Sequence, residues 1–94
     1  RTLISGRWRG LEVEDLTTQN ASRFRIEEKK GVVVVNVTQN SPADEAGINA
    51  GDVIQELNKQ PVRNTFEYQK ITKDLKGNAL IRTARGYFLV KGEE

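Results

Sequence analysis

Apolar and acidic residues alternate at the start of the readable pattern: Leu11-Glu12-Val13-Glu14-Asp15-Leu16. Leu11 and Val13 share one face of an extended chain and Glu12 and Glu14 the other, which predicts a half-buried strand. Thr17 to Arg25 is polar and weakly helical, a short helix or loop, with Phe24 and Ile26 as its large apolar anchors. After Gly31 the pattern changes to a continuous β-branched run, Val32-Val33-Val34-Val35. Such a run predicts an inner strand covered on both faces, with Val33 and Val35 buried on one side and Val32 and Val34 on the other.

The next segment, Ser41-Pro42-Ala43-Asp44-Glu45-Ala46-Gly47, reads as a short helix with both ends specified. Ser41 caps the free amides, Pro42 suits the first helical position, acids fill the first turn, and Gly47 ends it in the left-handed region. Gly51-Asp52 turns the chain into a strand over Val53 to Leu57, and Asn58-Lys59 turns it again toward Pro61-Val62. A longer helix follows from Asn64, which with Glu67 resembles a capping box. Tyr68, Ile71, Thr72 and Leu75 form its apolar face, opposite Gln69, Lys70 and Lys73, and Gly77 closes it. Ala79 to Ala84 and Tyr87 to Val90 form a last pair of strands about Arg85-Gly86. There is no internal repeat and no low-complexity stretch.

Composition narrows the function. The chain has 94 residues, 36% hydrophobic and 30% charged, with a formal charge of +2. This is the make-up of one small globular domain, without the low apolar content that keeps a chain disordered. The valine run is far short of the ~20 apolar residues that span a bilayer, so no membrane insertion is expected. The chain begins at Arg1 rather than Met and reads as a piece of a longer protein. There is no His and no Cys. A Ser-His-Asp triad, a cysteine nucleophile, a Cys/His zinc site and a disulfide framework are all excluded within these residues. Composition therefore leans toward binding, with no metal or cofactor implied.

At Val32 through Val62 the motifs combine into a recognisable set: Gly31-Val32-Val33-Val34, Asn40-Ser41-Pro42-Ala43, Ala46-Gly47-Ile48, Gly51-Asp52-Val53-Ile54 and Asn58-Lys59-Gln60-Pro61-Val62. With Gly10 to Thr17 before it and the Asn64 helix and Tyr87-Phe88-Leu89-Val90 after it, the chain resembles a PDZ domain of the HtrA/Deg serine proteases. The resemblance implies an α+β fold, a small, partly open β-sandwich or barrel with one short and one longer helix, of the circularly permuted bacterial type. It implies a single domain over 1–94, with 10–90 as core and 1–9 as linker and start of the binding loop. Three departures stand out. Lys59 replaces the Gly of a favoured Asn-Gly turn, the last hairpin is abrupt, and Arg9 stands beside Gly10 where the family has a small or aliphatic residue.

The same resemblance implies β-augmentation, in which a partner's C-terminal or unfolded apolar segment adds a strand beside Leu11 to Asp15. Arg7-Trp8-Arg9-Gly10-Leu11 aligns with the loop that receives the terminal carboxylate, with Arg7 and Arg9 adding positive charge. Leu11, Glu12 and Val13 belong to the edge strand, and Tyr68, Ile71 and Thr72 to the opposite wall. Further implications are a non-catalytic module that regulates or feeds an attached serine endopeptidase, a parent that forms homo-oligomers, and a periplasmic or cell-envelope location. Plainer readings stand beside these. Leu11, Val13, Ile71 and Leu75 suit the core of any small α/β domain, Arg7, Arg9 and Lys29-Lys30 suit a solvated surface, and Gly51-Asp52 suits a structural turn. Trp8 suits a groove wall, a linker contact or an interface anchor. The alternative function is a docking or oligomerisation domain with a closed groove. Carboxylate catalysis by Asp15, Asp52 or Asp74 with a Glu lacks any sign of a shared cleft. Trp8 between two arginines is too small a cluster for nucleic-acid binding.

Overall fold

A computed structural model describes residues 8–92. The strands are β1 (Leu11–Asp15), β2 (Val32–Val37), β3 (Val53–Leu57), β4 (Gln60–Pro61), β5 (Ala79–Thr83) and β6 (Gly86–Val90). The helices are α1 (Thr18–Phe24), α2 (Pro42–Ala46) and α3 (Thr65–Asp74). All pairings are antiparallel, in the order β1-β2-β3-β5-β6, with β4 on β3. The sheet is open, so of the expected sandwich-or-barrel alternatives no closed barrel forms. β1 is one of its edges.

The valine run occupies the inner strand expected of it. Val32, Val33 and Val34 are fully buried, Val32 facing Ile54 and Val33 facing Val53 across the ladder. Val35 departs from expectation and is only half-buried. Glu12 pairs with Asn36 and the next residue, Val13, with Val34, so Val35 is the extra residue of a bulge. A bulged residue is left out of the pairing and loses its place in the alternation. The core joins Leu11, Val32, Val34, Ala43, Ile48, Ile54, Leu57, Val62, Tyr68, Ile81 and Val90, contributions from the sheet, α2 and α3.

Three helices form rather than one short and one longer. Over Thr18–Phe24 the weak helical tendency is settled by a reciprocal cap: Thr17 Oγ1 accepts from the Asn20 amide and Asn20 Oδ1 accepts from the Thr17 amide. α2 is capped as expected, Ser41 Oγ accepting from the Asp44 amide and Gly47 closing in the left-handed region. In α3 the Asn64 side chain accepts from the Glu67 amide, but the Glu67 carboxylate reaches back to the Arg63 amide, so the box is half-formed. Leu75, with extended backbone, ends α3, and Gly77 lies beyond it. The last turn is Ala84-Arg85, one residue before the expected position, because Gly86 already pairs with Thr83.

Two turns carry side chains through the left-handed region. Asn58 and Lys59 have φ of 49° and 70°, the two-residue turn whose second position favours Gly. Asp52, placed by sequence in a structural turn, is a buried anchor. Its carboxylate accepts from the Asn49 amide and from both Nε and Nη2 of Arg85 at 2.8 and 2.6 Å. Arg85 also donates to the Gly47 carbonyl and lies over the Phe88 ring. The α2–β3 loop is thereby tied to the β5–β6 turn.

Candidate functional site

Among the described residues, β1 pairs along its length with β2, and its other side carries the bridge from Leu11 to Trp8. Residues along a strand direct their N–H and C=O groups alternately to either side. The Gly10 carbonyl accepts from Thr38 on the β2 side, and the Leu11 amide and carbonyl both point away from β2. Alternation then places the backbone groups of Val13 on the outer edge as well. The Asp15 amide follows, whereas the Asp15 carbonyl is taken by Asn20 Nδ2 at 2.8 Å.

The far wall is α3, and one bond sets its distance. Asp15 Oδ1 accepts the Thr65 amide at 2.7 Å, joining the end of β1 to the first turn of the helix. Thr65 therefore marks the side of α3 that faces β1. Helical periodicity puts Gln69 and Thr72, four and seven residues on, along that same side. Sequence reasoning missed Thr65 and Gln69, because the apolar stripe reports the core-facing side and not the adjacent flank. Ile71 lies on the opposite flank, where it lines a depression of about 500 Å³ with Gln60, Pro61, Arg63, Glu67, Lys70 and Asp74. The Thr72 hydroxyl bonds the Tyr68 carbonyl at 2.9 Å and the Gln69 carbonyl at 3.3 Å, so this side chain presents chiefly its methyl group.

The loop at the head of β1 is a tight turn. Arg9 and Gly10 have φ of 57° and 92°, and Trp8 and Leu11 pair across them, Leu11 N to Trp8 O at 3.0 Å and Trp8 N to Leu11 O at 3.3 Å. The Arg9 carbonyl accepts from Ala43 in the first turn of α2. Because the peptide is planar and trans, the Gly10 N–H points the other way, out of the fold. Glycine is demanded at this position twice over. Its φ is unfavourable to any side chain, and a Cβ would overlap the side chain of Ser41.

Side chains fill in around the turn. The Trp8 ring meets Tyr68 edge-on, centroids 6.1 Å apart, and the Arg9 guanidinium lies 4.5 Å over the Trp8 ring. Arg9 Nη1 and Nη2 donate to the carbonyls of Val90 and Leu75, both at 3.4 Å. Its charge thus sits at the C-terminal end of α3, where the helix carbonyls favour a cation. The Tyr68 hydroxyl has no hydrogen-bond partner among the described residues, and burial pushes its pKa well up, an effect the nearby Arg9 charge reduces. Glu12 is exposed on the other face of β1, beside Asn36 Nδ2 at 3.5 Å. Arg7 lies outside the described residues.

The structure therefore brings Trp8, Arg9, Gly10, Leu11, Val13, Tyr68 and Thr72 together around one groove, and places Glu12 and Ile71 off it. Such an arrangement offers backbone pairing, an apolar floor and an outward amide. Asp15 and Asp52 are spent on structural bonds. Among the described residues no group of three or more His, Cys, Asp or Glu is placed to hold a metal.

Comparison with known proteins agrees with this fold. The chain superposes on the HtrA3 PDZ domain bound to a phage-derived ligand, FGRWV, with a TM-score of 0.77 and 24% identity over 94% of this chain and 86% of that one. It superposes on the HtrA-type protease AlgW with decapeptide at a TM-score of 0.69, with 24% identity over 89% of this chain and 28% of that one. Among curated sequences, a probable periplasmic serine endoprotease DegP-like from Pseudomonas putida (strain W619) is 34% identical over 85% of this chain and 17% of its own length. The periplasmic serine endoprotease DegP of Salmonella typhimurium is 55% identical over 45% of this chain and 9% of its own. The chain spans less than a fifth of the length of these curated relatives. The PDZ family profile matches residues 10–81, from the Gly10 turn into β5, and the chain belongs to the PDZ domain family.

Proposed function

We propose that this domain takes up a C-terminal or unfolded apolar segment as an added strand on the outer edge of β1, between β1 and α3. It does so for an attached periplasmic serine endopeptidase of the HtrA/Deg type, and is itself non-catalytic. The observation that carries this reading is the pairing-competent edge at Val13 held opposite α3 by the Asp15–Thr65 bond. Backbone pairing supplies affinity that is indifferent to sequence, and the apolar floor selects the side chain. The outward Gly10 amide is the group best placed for a terminal carboxylate, with Trp8, Leu11, Val13, Gln69 and Thr72 around the segment. With no His in the chain, a preference for apolar tails over Ser- or Thr-bearing ones is expected. The peptide bound by the HtrA3 domain contains Gly-Arg-Trp, an order also found here at Gly6-Arg7-Trp8.

The test is a titration with labelled Phe-Gly-Arg-Trp-Val, as free acid and as C-terminal amide, followed by amide chemical shifts. A few strand bonds and one pocket must offset the ordering of the peptide, so the acid is expected to bind at about 10 μM, about −7 kcal/mol. The amide should bind at least tenfold more weakly. Equal binding of the two overturns the carboxylate role, and shifts confined to residues away from β1 and α3 overturn the groove. One observation favours a second reading, a docking domain with a closed groove: the Leu11 edge is already bonded to Trp8.

A further inference from the structure

We propose that Glu12 and Glu14 select the outward side chains of the bound segment, so that the groove takes segments in which apolar and basic residues alternate. The inference rests on the strand-addition reading of β1 and extends it to the face of the added strand turned away from α3. A segment whose carboxyl end lies at the Gly10 amide runs antiparallel to β1. The N–H and C=O of Val13 both point to the outer edge, so the ligand residue opposite Val13 forms a hydrogen-bonded pair with it. Its two neighbours then stand opposite Glu12 and Glu14, in the non-bonded pairs whose Cα atoms approach to about 4.5 Å.

Directly opposed residues share a face of the sheet. Leu11 and Val13 pack against the core and Asp15 bonds to α3, so ligand residues opposite these three turn into the groove. Glu12 and Glu14 are exposed on the other face. Each carboxylate meets a neutral amide, Asn36 Nδ2 at 3.5 Å for Glu12 and Asn20 Nδ2 at 3.4 Å for Glu14. Asn36 belongs to β2, on the side away from the added strand, and β1 itself contains no Lys or Arg. A base directly across from a carboxylate favours pairing and a second acid opposes it, each by a factor of roughly 1.5 to 5. Two such pairs multiply to about tenfold. General attraction for cations does not supply this preference, because the chain carries a formal charge of +2. Selection is by position. Trp8 bonds the outer edge of Leu11, and a segment that replaces this bridge or stops two residues short of it keeps the same alternation. The favoured tail therefore has apolar residues at its end and third from its end, with Lys or Arg second and fourth.

The test is a titration with two free-acid peptides, Phe-Lys-Val-Lys-Val and Phe-Gln-Val-Gln-Val. The unaltered chain should bind the Lys peptide about tenfold more tightly than the Gln peptide. Glu12→Gln and Glu14→Gln should each lower that ratio to about threefold, and the double variant should bring it within twofold. Glu45→Gln, an exposed acid on α2, should leave it unchanged. Binding of the two peptides within twofold by the unaltered chain overturns the inference and leaves strand addition standing. So does a preference for Lys that both single variants retain in full. Absence of binding of either peptide to the unaltered chain at millimolar concentration sinks the strand-addition reading and this one together.

Discussion

The Asp15 carboxylate accepts the Thr65 amide at 2.7 Å, across 50 residues of chain, and this bond spans the groove between β1 and α3 at one end. The acceptor is a carboxylate at a helix N-terminus, where the helix itself favours negative charge. Asp15→Ala should lower stability by about 1–2 kcal/mol and weaken peptide binding several-fold, whereas Asp15→Asn should recover most of both. Denaturant titration and the peptide titration, run on the same three proteins, check this. Binding that is unaffected by Asp15→Ala would show that the bond does not set the width of the groove.

Gly10→Ala tests packing rather than ligand approach. The added Cβ meets Ser41 and the backbone at φ 92° disfavours it, so a loss above about 2 kcal/mol is expected. Removing the obstacle in Gly10→Ala/Ser41→Gly should recover part of it in chemical denaturation. A silent Gly10→Ala would mean that the turn relaxes freely.

Ile71 separates the two flanks of α3. It is half-buried against the core and lines the depression beside β4. Ile71→Asp should therefore destabilise by about 1–3 kcal/mol, chiefly through desolvating a charge, while peptide affinity of the folded fraction changes less than twofold. Gln69→Trp, on the β1 side, should alter affinity with little change in the denaturation midpoint. The reverse pattern would return Ile71 to the groove.

Arg85 and Asp52 form a two-point ion pair over a nearly buried carboxylate. Arg85→Ala leaves the Asp52 carboxylate with the bond from the Asn49 amide at 2.9 Å, and a loss of about 1–3 kcal/mol is expected. A double-mutant cycle with Asp52→Asn should show coupling of at least about 0.5 kcal/mol. Additivity of the two substitutions would reduce the pair to a surface contact.

Lys59 holds φ at 70° on an exposed turn. Lys59→Gly removes that strain and should stabilise by about 0.5–1 kcal/mol, read as a higher denaturation midpoint. A lower midpoint would mean that the entropy of the added glycine outweighs the strain.

Much of the fold was legible in local pattern. The valine run marked an inner strand because an unbroken β-branched segment has two faces to bury. Ser41, Pro42 and Gly47 marked α2 because caps act on their own helix ends. Tyr68, Thr72 and Leu75 marked the inner side of α3 because period and burial coincide there. What the pattern could not report are relations between distant residues. The bulge at Val35 exists only when β2 meets β1, and the Asp52–Arg85 and Asp15–Thr65 bonds join segments with no sequence signal in common. The reciprocal Thr17–Asn20 cap was local but used Asn where Glu or Gln is the usual sign. Residue types alone thus determined the five longer strands, the helices α2 and α3, and the absence of His or Cys chemistry. Only the tertiary structure decided that Gln69 rather than Ile71 flanks β1, and that Trp8 is bonded to the edge it was expected to leave open. Local propensity is a property of neighbours along the chain, whereas a groove is a distance between elements that the chain brings together last.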